Sequence, residues 1–395
     1  MNSIQGRIAE INRQVEHLQE SSLYFYLQSV DELDGAWVSS NGRRMLNLAS
    51  YSYLGLLGHP RIEKAAQEAI SRYGTGTHGV RILAGSLPIH VELEQTIARF
   101  KNAEDAIVYS SGYVTNLATV SSLVGRNDVV IADKLNHASI VDGCLLSGAE
   151  FLRFRHNDMA DLERRLQQIG HDRSKLVVVD AVFSMDGDII NLPEVIRLCR
   201  QYDALLMVDE AHSLGVLGEK GHGIEEHFGL GNVIDVKMGT LSKTIPSVGG
   251  YVAGSRELIR YLKHTARAFI FSAALPPAQT AAAQASFEVI EAEGERVEAL
   301  RHNVSLFLGG LQERGFNTLN SETPIVPIVC GADERAYQMA RLCQEEDIFV
   351  LPVVSPAVPS GLARLRANIT AAPSEKDIAH ALDVLGRAGA QMGII

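Results

Sequence analysis

Apolar side chains recur along this chain in two rhythms. Near the start, Ile4, Ile8, Ile11, Val15 and Leu18 are spaced four, three, four and three apart. That spacing places them on one face of a helix, with Arg7, Glu10, Arg13 and Glu16 on the other. Two readings of the stripe stay open: packing on the helix's own domain, or on a second copy of the chain. From roughly residue 60 to 290 the rhythm is different. Unbroken apolar runs alternate with helical patterns such as DMADLERRLQQIG and LPEVIRLCRQYD. The runs are DAIVYS (105–110), DVVIAD (128–133), KLVVVDAV (175–182), ALLMVDEA (204–211), DVKMGT (235–240) and GYVAG (250–254). Strands that are apolar on both faces are buried on both faces, as parallel strands are. The expected fold is α/β, a mostly parallel sheet with helices on both sides. Beyond residue 290 a helix, a strand PIVPIVCG, a helix, a strand IFVLPVV, the run RLRANIT and a last helix from Ser374 predict a smaller α+β domain. The expected boundaries are 1–59 for an N-terminal helix and extension, 60–290 for the large domain and 291–395 for the small one. No internal repeat or low-complexity tract is visible.

Composition narrows the class. With 46% apolar and 21% charged residues, the 395-residue chain reads as an ordinary soluble globular protein. A net charge of -11 argues against a nucleic-acid partner, which needs a basic footprint. Cys144, Cys199, Cys330 and Cys343 show no C-x-x-C spacing, so no metal site and no dithiol pair is expected. Four scattered cysteines fit a reducing compartment. The first twenty residues have no long apolar core of the secretory type, and no run of 18 apolar residues occurs. The expectation is a cytoplasmic protein without a transmembrane segment.

Chemistry-bearing residues gather where the strands end. VDEAHSLG follows one strand with Asp209 and His212, and VFSMDGD follows another with Ser184. KLNHASI brings His137, and SGYVTN opens a helix at Gly112. In GTLSKTIPSVGG, Lys243 has no charged neighbour from Gly239 to Gly250. Each alone has an ordinary explanation: a turn aspartate, a structural histidine, a helix cap, a solvated lysine. Ligands of open α/β sheets bind beyond the carboxyl ends of the strands, and all five clusters fall there. One cofactor uses the whole set. Pyridoxal phosphate needs a lysine amine for its Schiff base, an anion for its ring nitrogen and a cradle for its phosphate. A helix N-terminus offers such a cradle, through its unpaired N–H groups and its dipole.

These residues sit in a longer series of motifs. YLGLLGHP, YGTGTHGVRILAG, HVELE, SSGYVTN, LNHASIVDG, VFSMDGDIINLP, VDEAHSLGVLG, GTLSK and PAVPSGLARLR run from about residue 45 to 375. Together they identify the chain as resembling the α-oxoamine synthases, a pyridoxal-phosphate family of fold type I. FSMDGDIINLPE and PVVSPAVP resemble bacterial serine palmitoyltransferases in particular. The resemblance implies a role for each residue. Lys243 carries the cofactor, Asp209 pairs with the ring nitrogen, and His137 stacks on the ring. Ser184 and His212 contact the phenolic oxygen. Ser111, Gly112, Tyr113 and Thr240 line the phosphate. Ser272 reaches the phosphate of a neighbouring subunit, so a homodimer with shared active sites is expected. Arg366 binds the amino-acid carboxylate, with Arg364 the competing candidate. Tyr51 and Arg81 are further substrate-side candidates.

The implied reaction joins a small amino acid to an acyl thioester and releases carbon dioxide and a thiol. Serine or alanine leads as the amino acid, with glycine behind. The thioester is carried by coenzyme A or by an acyl carrier protein. Activities like those of 8-amino-7-oxononanoate synthase or 2-amino-3-ketobutyrate CoA ligase are the alternative, as is an acyltransferase of a specialised pathway. Four positions depart from the family pattern. Tyr51 stands where asparagine is typical, Pro246 follows the lysine, Ala274 replaces a hydroxyl, and Glu210 replaces an aspartate with little expected effect. An aminotransferase or lyase on the same fold is a second reading, and a non-catalytic partner subunit a third. The retained Lys243, Asp209 and His137 speak against the third.

Overall fold

A computed structural model describes residues 3–169 and 171–395 and divides them into two compact units. The larger comprises Tyr51–His302 and Glu322–Pro324. Its centre is a seven-stranded sheet in the order 105–109, 250–254, 236–240, 205–209, 175–180, 129–133, 150–154. The strand Gly250–Gly254 runs antiparallel to both its neighbours, and every other pairing is parallel. The six expected strands are all present. Every residue of Val129–Asp133, Lys175–Asp180 and Val236–Thr240 is buried, which is why these runs are apolar on both faces. The seventh strand, Glu150–Phe154, is at the sheet edge and half exposed, so it lacks the apolar signature that marks the others. The expected helices are found at Met159–Ile169 and Leu192–Gln201. Gly170, the end of the first pattern, lies outside the described residues.

The smaller unit joins the chain up to Ser50 with Asn303–Ser321 and Ile325–Ile395. This corrects the expected boundaries, because the N-terminal extension is not a separate piece. Its strands Glu32–Asp34, Trp37–Ser40 and Arg43–Asn47 form an antiparallel meander, and Ile348–Phe349 adds to it in parallel. Leu46 and Leu48 are buried in one core with Val326, Ile328, Leu365 and Leu385. IFVLPVV, read as one strand, is two short ones. Ile348–Phe349 pairs with the meander, and Pro352–Val353 pairs with Ala363–Asn368 in a second sheet.

The first helix spans Ile4–Glu20, with Ser3 as its cap. Its stripe is largely uncovered: Ile4, Ile8 and Ile11 are 65%, 56% and 59% exposed. Leu18 alone of the five packs against the small core. The reading that the stripe lies on its own unit therefore holds only for its last turn. Among the described residues no helix is long and apolar enough to cross a membrane, and no group of His, Cys, Asp and Glu could hold a metal.

Candidate active site

Five strand-to-helix or strand-to-loop junctions of the larger unit converge on a cavity of about 260 Å³. Every member of the expected cofactor set except Ser272 lines it: Ser111, Gly112, Tyr113, His137, Ser184, Asp209, His212, Thr240 and Lys243. The local sequence explains the placement. Ser111 follows the strand Asp105–Tyr109 and caps the helix Gly112–Leu123, its hydroxyl accepting from Val114 N at 3.2 Å. His137 caps the helix Ala138–Ser147 in the same way. Lys243 follows the strand Val236–Thr240 in a loop closed by Leu241 N donating to Gly249 O and Ser247 N to Leu241 O. Pro246, which has no N–H to give, sits inside that loop without breaking these bonds.

Asp209 ends the strand Leu205–Asp209, and its register partner on the next strand is Asp180. Asp209 Oδ1 accepts from Ala211 N at 2.8 Å, and Oδ2 from the Asn116 amide at 2.7 Å. Both carboxylates are buried. Burial, and then the nearness of Asp209, pushes the Asp180 carboxyl well above the usual range. Asp180 Oδ2 also accepts from His137 N at 2.8 Å, which fixes the start of the histidine's helix. Partial burial lowers the pKa of His137, with Asp209 opposing and Lys243 assisting, so its ring is neutral at neutral pH. His212 is held from behind, its Nδ1 2.8 Å from the hydroxyl of buried Tyr53.

The donor set fits pyridoxal phosphate. At the phosphate end, Gly112 comes so close to Thr240 that a Cβ there would stand 2.8 Å from Thr240 Oγ1. A side chain at 112 would fill the space at the helix start. Thr240 Oγ1 lies 2.8 Å from Ser242 Oγ and 3.1 Å from Gly249 O, so its hydroxyl is oriented. An amine, a carboxylate, hydroxyls and a helix N-terminus therefore meet in one cavity, as the cofactor's aldehyde, ring nitrogen and phosphate require.

Other expectations fare differently. Arg81 is not brought to the cavity. Its guanidinium forms a two-pronged pair with Glu94 at 2.9 and 3.2 Å and bonds Ser86 Oγ. Tyr51 is part-exposed, its ring 6.2 Å from that of His212. Ser272 lies in the segment where Ala273 bridges Val80, away from this chain's cavity lining. Arg364 and Arg366 are both buried on the strand Ala363–Asn368 of the smaller unit. Glu210, expected to matter little, is fully buried and ion-paired with Lys101 at 2.8 Å, and accepts from Ser213 Oγ and Ile224 N. Among the cavity residues not singled out from sequence are Asn116, Ser139 and Asp180. The first two stand in the motifs SSGYVTN and LNHASIVDG, and Asp180 ends an apolar strand, so only the fold shows that they face the same space.

The chain belongs to the class I and II aminotransferase family, whose model matches residues 43–385. Its fold is the fold type I α/β architecture, and its cofactor is pyridoxal phosphate. Within that class the comparisons narrow to the α-oxoamine synthases, which are acyltransferases. The chain is 46% identical to 8-amino-7-oxononanoate synthase of Geobacter sulfurreducens, covering 97% of this chain and 98% of that one. It is 42% identical to serine palmitoyltransferase of Sphingobacterium spiritivorum, covering 96% and 95%. A solved serine palmitoyltransferase from S. paucimobilis, carrying pyridoxal phosphate with myriocin, superposes over 100% of both chains with a TM-score of 0.96 at 33% identity.

Proposed function

We propose that this enzyme condenses alanine or serine with an acyl thioester, delivered by coenzyme A or an acyl carrier protein, and releases carbon dioxide and the free thiol. The observation that carries this reading is the meeting of Lys243, Asp209 and His137 in one cavity, in a chain with relatives of both names. The bound cofactor supplies an electron sink for the amino acid's α-carbon. Lys243 Nζ is the group that takes the α-proton. Asp209 keeps a proton on the cofactor's ring nitrogen, and His137 covers the ring face. Ser184 and His212, the latter braced by Tyr53, hold the phenolic oxygen. Ser111, Gly112, Tyr113 and Thr240 hold the phosphate. Arg366 takes the amino-acid carboxylate, a task its planar fork suits.

The bonds balance. The α C–H bond breaks, a C–C bond forms to the thioester carbonyl, and the C–S bond breaks to release the thiol. The bond from the α-carbon to the carboxylate then breaks as carbon dioxide leaves, and a proton returns to the α-carbon. The working unit is a homodimer in which Ser272 reaches the other subunit's phosphate, and the uncovered stripe of Ile4, Ile8 and Ile11 supports such an assembly. Its place is the cytoplasm.

The test supplies alanine with pimeloyl thioester, and serine with palmitoyl thioester, each on coenzyme A and on acyl carrier protein. Carbon dioxide and free thiol released in equal amounts are expected in at least one arm. An amino-group transfer to an oxo acid, without thiol release, would overturn the reading. Arg366→Ala is expected to raise KM for the amino acid more than Arg364→Ala does, and the opposite order reassigns the carboxylate contact.

A further inference from the structure

Two buried residues that bear no role in the scheme above connect its two ring-binding groups. Asn116 and Ser139 are each 1% exposed. The Asn116 amide nitrogen has two hydrogens. One goes to Asp209 Oδ2 at 2.7 Å and the other to Ser139 Oγ at 2.9 Å. Ser139 Oγ in turn lies 2.7 Å from His137 Nδ1. The directions along this chain follow from which groups can donate. A carboxylate oxygen accepts, so the amide presents its nitrogen to Asp209. That same nitrogen donates to the serine oxygen. The serine's one hydrogen remains for a further acceptor, and His137 Nδ1 is the ring nitrogen within its reach. Ser139 N, 3.3 Å from the same nitrogen, is a second donor aimed at it. An imidazole that accepts at Nδ1 carries its proton at Nε2.

Asn116 gives something up for this arrangement. Its Oδ1 is buried and has no hydrogen-bond partner. A buried amide oxygen left so is costly, and turning the amide over would set that oxygen against Asp209. The amide is thus held in the one orientation that keeps both hydrogens on the chain.

We propose that Asn116 and Ser139 are positioning residues that tie His137 to Asp209 and hold the histidine as its Nε2–H tautomer. Through them Asp209 acts at two places, directly at the ring nitrogen and indirectly at the ring face. The histidine next to the cofactor is thereby a neutral ring with one fixed donor edge. A cationic imidazole there would oppose the positive charge that Asp209 maintains on the cofactor. Removing the orienting partner of a metal-bound histidine typically costs about 10- to 100-fold, and an effect of that order is expected for this ring. The inference rests on the proposed function only for what His137 does, since the tautomer is a property of the holoenzyme at rest.

The experiment is therefore a nitrogen NMR measurement on cofactor-loaded protein with labelled histidine, the His137 signals assigned by their loss in His137→Gln. The wild type is expected to show an unprotonated Nδ1 and a protonated Nε2. Ser139→Ala and Asn116→Leu are expected to shift the two signals towards a mixture of tautomers. They should also lower kcat about tenfold or more with KM for the amino acid little changed. Ser139→Thr, which keeps the hydroxyl, is expected to restore both. His137 signals unmoved in Ser139→Ala, or an Nδ1–H tautomer in the wild type, overturn the inference. If Asn116→Leu does not fold, Ser139→Ala decides. Correct tautomers in a holoenzyme that turns over no amino acid with any thioester would instead count against the proposed function.

Discussion

Two histidines of the larger unit, His137 and His156, both lie among carboxylates, and the surroundings drive them in opposite directions. His156 touches its acids directly: Nδ1 is 3.0 Å from Asp133 Oδ1 and Nε2 is 2.9 Å from Asp188 Oδ2. Burial works against its charge, but the two hydrogen bonds and two negative charges outweigh it and raise its pKa to about 10. It is a cation at neutral pH, and it clips the end of the strand Val129–Asp133 to the loop that carries Ser184. His137 stands one turn further along and meets Asp209 only through a serine and an amide. Its pKa is lowered. What separates a structural cation from a neutral ring suited to a cofactor is therefore not how many carboxylates are near. It is whether the carboxylates bond the ring directly; where they do not, burial and the nearby Lys243 prevail.

The comparison breaks most visibly by removing each ring. His137→Ala is expected to cut turnover roughly a hundredfold or more, with only the modest fall in melting temperature that a lost helix cap brings, as measured by steady-state kinetics and calorimetry. His156→Ala should do the reverse, with the larger change in the melting curve.

Next in size is Asp133→Ala. Besides His156, Asp133 accepts from Leu135 N and Asn157 N, both at 2.8 Å, and it is buried. Breaking a buried charge pair from one side costs on the order of 3 kcal/mol, to be read from urea denaturation of the holoenzyme.

A subtler test is pH. His156 binds its proton more tightly folded, at about 10, than unfolded, at about 6.5. The folded state therefore holds more protons across that window. The clip's contribution is complete below about 6.5 and is lost progressively as pH rises through about 10. Stability measured at intervals from pH 6.5 to 10 is expected to fall in the wild type, and less steeply in His156→Gln. Equal slopes would mean that the two histidines are not as different as their contacts imply.

The smallest effect is expected from Gly112→Ala. The added methyl meets Thr240 Oγ1 at 2.8 Å and Thr240 Cβ at 3.0 Å, so the threonine must shift at the phosphate end. Retention of cofactor on dialysis should weaken by a few-fold, with the fold intact.

The same pair shows what sequence discloses. His137 stood out because LNHASI follows an apolar strand and belongs to a recognisable motif. His156 carried no such mark: FRHND reads as an ordinary polar loop, and its two acids lie 23 and 32 residues away along the chain. The parallel strands were legible because being buried on both faces leaves an unbroken apolar run. The edge strand Glu150–Phe154 and the short meander strands leave none. Residues proposed to touch the cofactor were legible through motifs. Residues that act through another side chain, such as Asn116, Ser139 and Asp180, become visible only when the strands and helices bring them within 3 Å of their partners. Glu210 teaches the same: a conservative-looking change in sequence is, in three dimensions, the fully buried end of an ion pair.

The proposed roles around the cofactor rest on one proposed covalent attachment. Cofactor-loaded protein reduced with borohydride and digested is expected to yield one pyridoxyl-labelled peptide, modified at Lys243, with Lys243→Ala yielding none. A label on any other lysine, or none in protein that holds the cofactor, would contradict the account at its root.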